Sequence, residues 1–542
     1  MSIQKNSGGE RLGDVLINNG FITNQQLIQA LEEQLGVEFI DLSKNSPSLE
    51  LARLLPQAVA RKHNVVPVRL DREHLYLAMA DPLNFIAIED VKQITRKSII
   101  PLIATAEAVD RAITSLYGSE GASKAMEEMT VESGSNEEYL SESIGGTNLD
   151  SDANSAPTIR LVNGIVERAV AERASDIHLE PRENGMTVRI RVDGVLRSIM
   201  HIPRNIQSAV IARLKVMGGM NISERRIPQD GRANVKVRLK DIDLRISTLP
   251  TIYGEKTVIR LLDKSTQILS RKGIGLDDRN IPRYNKLLLN TAGVILIAGP
   301  TGSGKSSTMS VMVRELNREE VNIVTLEDPV EYNIDGVNQV QINEKVGMTF
   351  AGGLRSILRQ DPDIISVGEI RDGETAEIAM RSAITGHLVL STIHTSDCIA
   401  TLDRLLDIGV EPYLTTAALK GVMSQRLVRK ICPNCREAYE PSDDELDLIN
   451  IDRTPGMKFY RGKGCPMCYH SGYSGRTGVF EILNINHDIR NAIMVHADRD
   501  TMLELARKDG FVSIGDRCRE LVLDGVTTAA EAAKTIHSTD DD

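Results

Sequence analysis

Tryptophan is missing from this 542-residue chain, and all aromatic residues together make up 3% of it. That scarcity weighs against a stacking platform for single-stranded nucleic acid, which needs exposed rings to seat successive bases. The net charge of −11 points the same way, because broad nucleic-acid binding draws on a basic surface. No run of about 18 apolar residues occurs, so no membrane-spanning helix is expected. The first residues are polar and lack the apolar stretch of a secretory signal, so a cytoplasmic protein is expected. Cysteine is sparse too, six residues in all. What remains is an ordinary globular composition, 41% hydrophobic and 26% charged, in a length that suits about three or four domains.

The stretch that organises the chain is Gly299-Pro300-Thr301-Gly302-Ser303-Gly304-Lys305-Ser306. The apolar run Val294 to Ala298 precedes it, and a helix-compatible run from Ser307 to Leu316 follows. Strand, glycine loop and helix are the setting that the pattern G-x-x-x-x-G-K-[ST] requires for phosphate binding. Backbone N–H groups of such a loop and the helix N-terminus present positive dipole ends to phosphate oxygens. Gly302 and Gly304 let the backbone curl without a Cβ in the way. Lys305 can reach the β/γ-phosphates and the Ser306 hydroxyl can ligate Mg²⁺, so Gly299 to Ser307 are expected to line ATP.

Three apolar runs follow, each ending in polar chemistry. Asn322 to Leu326 runs into Glu327-Asp-Pro-Val-Glu331. Asp361-Pro-Asp363 leads through Ile364-Ile-Ser-Val367 to Gly368-Glu369. Thr385-Gly-His387 leads through Leu388 to Ile393 to His394-Thr395. Ligand chemistry in α/β sheets gathers at the carboxyl ends of strands. Glu327 and Glu331 are therefore expected to orient water or hold Mg²⁺ through water. Glu369 is expected to organise the metal and polarise the attacking water, and His394 to sense the γ-phosphate.

Residues 1–118 read as an α+β domain. Two short helices are expected across Arg11 to Leu35, a strand at Phe39 to Leu42, and paired strands at Val65 to Leu70 and His74 to Ala80. Residues 119–156 hold nine acidic residues and one basic one between sparse apolar positions, the composition of a flexible tether. Residues 157–275 begin with an amphipathic helix, Thr158 to Ala174. Expected strands follow at Asp176 to Glu180, Met186 to Val192, Ala233 to Leu239, Asp243 to Thr248 and Lys256 to Leu262, with a helix over 204–219. Among this domain's arginines most are expected to be solvated or salt-bridged. One that reached a triphosphate would stabilise transition-state charge with its planar donor fork.

Residues 276–542 hold the phosphate loop and a second motif. Cys432-Pro-Asn-Cys435 and Cys465-Pro-Met-Cys468 stand 29 residues apart. Two C-x-x-C units read as a tetrahedral Zn²⁺ site. The alternative, two disulfides, sits poorly in a reducing compartment. Four sulfurs leave no open position for water, so the metal's role would be structural.

Taken together, Gly299 to Ser306, Glu327 to Glu331, Asp361 to Asp372 and Gly386 to Thr395 resemble the Walker A, Asp, Walker B and His boxes of the secretion-superfamily ATPases. These power type IV pilus assembly and type II secretion. The resemblance runs from about Thr158 to the C-terminus, with a looser match before it. It implies a RecA-like P-loop core, a preceding α+β, PAS-like domain, a small zinc subdomain and a separate N-terminal regulatory domain. It implies a homohexamer with ATP between the second domain and the core, an inner-membrane platform protein, and a cytoplasmic docking protein. Membrane association would be peripheral, at the inner face and through those partners, with no nucleic-acid substrate. Arg245 and Arg260 would contact nucleotide from the second domain; Arg355 and Arg359 would do so within the core or across subunits. Some members bind cyclic di-GMP at the N-terminal domain through two tandem Arg-Leu-Gly-x-x-Leu motifs. This chain shows one clear copy, Arg11 to Gln34, so a docking role is the favoured expectation and cyclic di-GMP the alternative. Three functions compete: a pilus-extension motor, a type II secretion motor, and a nucleotide-switched scaffold whose turnover is incidental.

Overall fold

A computed structural model describes residues 32–113 and 153–540, except 35, 43–44, 46, 48, 53, 107, 238–239 and 264–269, together with 116–117, 126 and 128–129. The motif at Arg11 to Leu31 and nearly all of the acidic 119–152 stretch lie outside the described residues. The chain divides into two compact units, Met1–Ser265 with Cys465–His470, and Thr266–Gly464 with Ser471–Asp542.

The first unit contains two sheets. Strands β1 (Val65–Asp71), β2 (His74–Met79) and β3 (Ser98–Ile103) form the smaller one in the order β1-β2-β3. β1 and β2 are antiparallel, and β2 and β3 are parallel. A parallel pair needs a crossover, and helix Phe85–Thr95 supplies it, capped by the Asn84 side chain. The strand expected at Phe39 to Leu42 is reduced to one bridge, Phe39 to Ile103. Ile103 is the last residue of β3, so the ladder has no further strand partner beyond it.

The larger sheet is antiparallel, with six strands in the order β6-β5-β4-β9-β8-β7. They are β4 (Asp176–Arg182), β5 (Gly185–Val192), β6 (Val195–Ile202), β7 (Gln229–Val237), β8 (Lys240–Thr251) and β9 (Gly254–Asp263). Alternation decides its faces. Ile177, Leu179, Val188, Ile190, Leu244, Ile246 and Ile259 turn inward, where helices Ala156–Ala171 and Arg204–Gly218 cover them with Leu161, Ile165, Val210 and Leu214. The intervening positions carry Asp176, His178, Glu180, Arg189, Arg191, Arg245, Lys256 and Arg260, a polar face.

The second unit is built on a seven-stranded sheet in the order β12-β11-β13-β14-β10-β15-β18. Its strands are β10 (Gly293–Ala298), β11 (Ile323–Glu327), β12 (Asn338–Gln341), β13 (Ile364–Val367), β14 (Leu388–Ile393), β15 (Leu419–Ile431) and, at the far edge, β18 (Tyr473–Asn484). All neighbours are parallel except β15 and β18. Parallel strands are covered on both faces and so read as continuous apolar runs. β10, β13 and β14 are buried at every position. Val294, Leu296 and Ala298 join one core and Ile295 and Ile297 the other. A two-stranded ribbon, β16 (Arg436–Tyr439) with β17 (Phe459–Gly462), lies between the two cysteine pairs in sequence.

Candidate nucleotide site and cysteine cluster

Register places the chemistry. Ala298 is level with Ile393, Leu326 with Val367, and Val367 with Ser391. The residues that follow these pairs therefore gather at one carboxyl edge: Gly299, Glu327, Gly368-Glu369 and His394. The glycine loop leaves β10 there and enters helix Lys305–Leu316 at its positive end. Gly299, Gly302 and Gly304 have φ of 143°, 78° and 93°, a region closed to most side chains. Inside the loop the Ser303 hydroxyl is buried and has no hydrogen-bond partner among the described residues. Buried polar groups rarely stay unsatisfied, and a phosphate oxygen in the cradle would satisfy this one.

The Lys305 ammonium donates to the carbonyls of Gly299 at 2.6 Å and Pro300 at 3.1 Å. Burial pulls it down from 10.5 to about 8; nearby Glu369 opposes that shift and Arg426 adds to it. Glu369 accepts from His394 Nε2 at 3.2 Å and is paired with Arg371. Thus Lys305, Glu369 and His394, separated by up to 89 positions in sequence, share one small volume. Glu327 is pinned at one oxygen, accepting from Thr325 Oγ1 at 2.6 Å and Gln339 Nε2 at 2.9 Å. Ser306 and Glu331 are exposed, and Ser307 is 3.4 Å from the Tyr332 hydroxyl. Arg355, on helix Phe350–Ile357, pairs with Glu374, and Arg359, just past the end of that helix, donates to the Arg355 carbonyl, 2.9 Å away.

Arg245 and Arg260 belong to the first unit. With Asp176, Asp230, Arg232 and Ser247 they line a cavity of about 380 Å³ on the polar face of the larger sheet. Arg260 holds Asp176 at 3.2 Å, while the Nε of Arg245 is buried with no hydrogen-bond partner among the described residues.

The four cysteine sulfurs all lie within 4.8 Å of one another, and Cys432, Cys465 and Cys468 are buried. Cys465 and Cys468 have sulfurs 3.7 Å apart. That is far beyond the roughly 2.05 Å of a disulfide. It matches the edge of about 3.8 Å that four sulfurs at about 2.3 Å from zinc would define. The Cys465 N–H donates to the Cys468 sulfur at 3.2 Å, support that a thiolate ligand needs. The donor set therefore fits a structural zinc ion.

Motif reading missed three buried residues beside the loop and its neighbours. Gln425 and Arg426 lie on β15 and are 1% and 7% exposed; Glu481 on β18 is 3% exposed. A Gln-Arg pair between the apolar pairs Val422-Met423 and Leu427-Val428 was the signal for the first two.

The glycine loop at the head of a parallel sheet, with a carboxylate and a histidine at neighbouring strand ends, defines a P-loop ATPase of RecA-like fold. The chain belongs to the family described as type II/IV secretion system protein, whose sequence profile matches residues 151–534. A separate MshEN domain profile matches residues 35–123. Relatives carry matching names. The type IV pilus assembly ATPase PilB of Thermus thermophilus is 39% identical over 98% of this chain, which spans 59% of that protein's length. PilB of Myxococcus xanthus is 39% identical over 97% of this chain and 94% of its own. Type II secretion system protein E of Pseudomonas aeruginosa is 40% identical over 89% of this chain and 96% of its own. The fold is shared with the Legionella pneumophila ATPase DotB, at a TM-score of 0.52 and 20% identity over 73% of this chain and 98% of DotB. No helix among the described residues is long and apolar enough to cross a membrane.

Proposed function

We propose that this chain hydrolyses ATP to drive extension of a type IV pilus, acting as a ring of identical subunits at the inner face of the plasma membrane. The observation that carries the pilus reading is reach. The two pilus assembly ATPases align over 97–98% of this chain, against 89% for the Pseudomonas secretion protein. That secretion protein is nevertheless as similar in identity, so the type II secretion motor is the second reading.

In this account the glycine loop and Lys305 bind the triphosphate. Ser306, with Glu327 and Glu331 through water, would hold Mg²⁺, which neutralises phosphate charge when bound. Glu369 orients the attacking water, and its hydrogen bond to His394 links that carboxylate to a sensor for the γ-phosphate. Arg245 and Arg260, on a polar sheet face with an unsatisfied guanidinium nitrogen, supply positive charge to nucleotide bound by the core. Arg355 and Arg359, both exposed, are assigned to nucleotide contacts within the core or across a subunit boundary. The four cysteines hold zinc for structure alone. The N-terminal domain docks a cytoplasmic partner, and a platform protein in the membrane receives the motion. Cyclic di-GMP remains the alternative ligand of that domain.

Turnover by the full chain tests the enzymatic part. Lys305→Ala should weaken nucleotide binding and abolish turnover. Glu369→Gln should keep binding and lower kcat by roughly 100-fold or more, the range for losing a positioned base. Glu369→Gln with kcat near wild type would remove Glu369 from the chemistry.

A further inference from the structure

We propose that Gln425 and Arg426 are positioning residues that lock the phosphate loop and the His394 loop together, so that the two halves of the site are set by one strand.

The geometry begins with β15. Ala298, the last residue of β10, is level with Ser424, so the next residue, Gln425, stands beside the start of the glycine loop. The Gln425 side chain accepts from Thr308 Oγ1 at 2.7 Å, in the second turn of the loop's helix. A Cβ on Gly304 would come within 2.8 Å of Gln425 Nε2, and one on Gly299 within 2.6 Å of the Gln425 carbonyl. Gln425 thus touches the loop at its entry, its last glycine and the helix behind it. Two of the loop's glycines are small in part because this residue fills the space.

Arg426 works in the other direction. Its Nη2 donates to the Ser396 carbonyl at 2.6 Å, two residues after His394, and Ser424 Oγ donates to the same oxygen at 3.3 Å. Its Nη1 donates back to the Gln425 carbonyl at 3.3 Å. One side chain therefore ties the His394 loop to the residue that braces the phosphate loop. Arg426 also lies close enough to Lys305 to disfavour its protonated form. A buried guanidinium costs desolvation energy that apolar packing would avoid. Its retention here is explained by a planar fork that reaches two carbonyls at once. Neither residue is assigned contact with the nucleotide; both act through the groups they hold.

The inference rests on the proposed ATPase reading, and the test separates the two. Hydrogen exchange on nucleotide-free full-length protein needs no turnover. Arg426→Met should speed exchange at 299–305 and at 394–397 together, with the rest of the sheet unchanged. Exchange that rises in only one of the two loops, or throughout the sheet, would overturn the proposal. In steady-state assays Arg426→Met should lower kcat by up to about 100-fold, the scale for a misplacement of about 1 Å, while KM for ATP moves less than kcat. Arg426→Lys, which keeps the charge and loses the fork, should recover binding better than kcat. Equal losses in both variants that follow their melting temperatures would reduce Arg426 to a packing role. Absence of turnover in the wild type would refute the ATPase reading and leave the exchange result to decide this one.

Discussion

Lys305 meets two opposing demands. The helix N-terminus and the loop amides favour an anion beside it, while burial disfavours its own charge and holds it near 8. A triphosphate in the cradle would reverse that balance, because an opposite charge at close range restores the protonated form. ATP binding at pH 8.5 should therefore take up protons, and less so at pH 7, where Lys305 is already mostly charged. Calorimetry in two buffers of different ionisation heat measures that uptake; equal heats in both at pH 8.5 would contradict it. The residues of the loop, Glu369, His394 and the cysteines were legible in sequence because each belongs to a short motif with its own mechanism. Gln425 was not legible, since its partner Thr308 lies 117 positions away. A buried polar residue declares itself only when the fold brings its partner to it.

At the scale of elements, the parallel strands could be read from their unbroken apolar runs, whereas β15 could not. Its run Leu419 to Ile431 carries Lys420, Ser424, Gln425, Arg426, Arg429 and Lys430, and several of these are buried only because neighbouring elements hydrogen-bond them. Glu481, on the adjacent β18, is a further case. It accepts from Cys398 N at 2.7 Å and Ile514 N at 3.0 Å, capping two helices at once. Burial dominates those bonds and raises its carboxyl from 4.5 to about 7; Asp397 nearby adds to the rise. As pH climbs from about 4.5 to 7, the unfolded chain ionises this group before the native one does. The contribution to stability is thus full below pH 4.5 and is lost as pH rises through 7. Glu481→Gln should melt lower than wild type at pH 5 and close that gap by pH 8. A gap of constant size across that range would show that Glu481 does not titrate there. For the cysteine knuckles, metal analysis should find about one zinc per chain. Cys432→Ser and Cys468→Ser should each lower both zinc content and melting temperature, and metal-free wild type with unchanged melting would refute the structural role.

For the whole molecule, the sequence predicts a succession of an N-terminal α+β domain, an acidic stretch, an α+β module rich in arginine and a nucleotide-binding core; the antiparallel order of the module's six strands comes from the structure. The order of strands in the seven-stranded sheet was out of reach, because it depends on crossovers that local pattern does not encode. In the proposed function Arg245 and Arg260 supply positive charge to the nucleotide. Removing either guanidinium should therefore lower turnover more than nucleotide affinity; unchanged kcat in both Arg245→Ala and Arg260→Ala would separate that sheet from the reaction. The central claim, a motor for pilus extension, is tested most directly in the organism that carries the chain, by comparing wild type with Lys305→Ala. Surface pili are counted by electron microscopy and secreted proteins are profiled from the same cultures. Loss of pili with secretion intact is the expected result. Normal pili alongside exoproteins trapped inside the cell would contradict it and assign the chain to type II secretion.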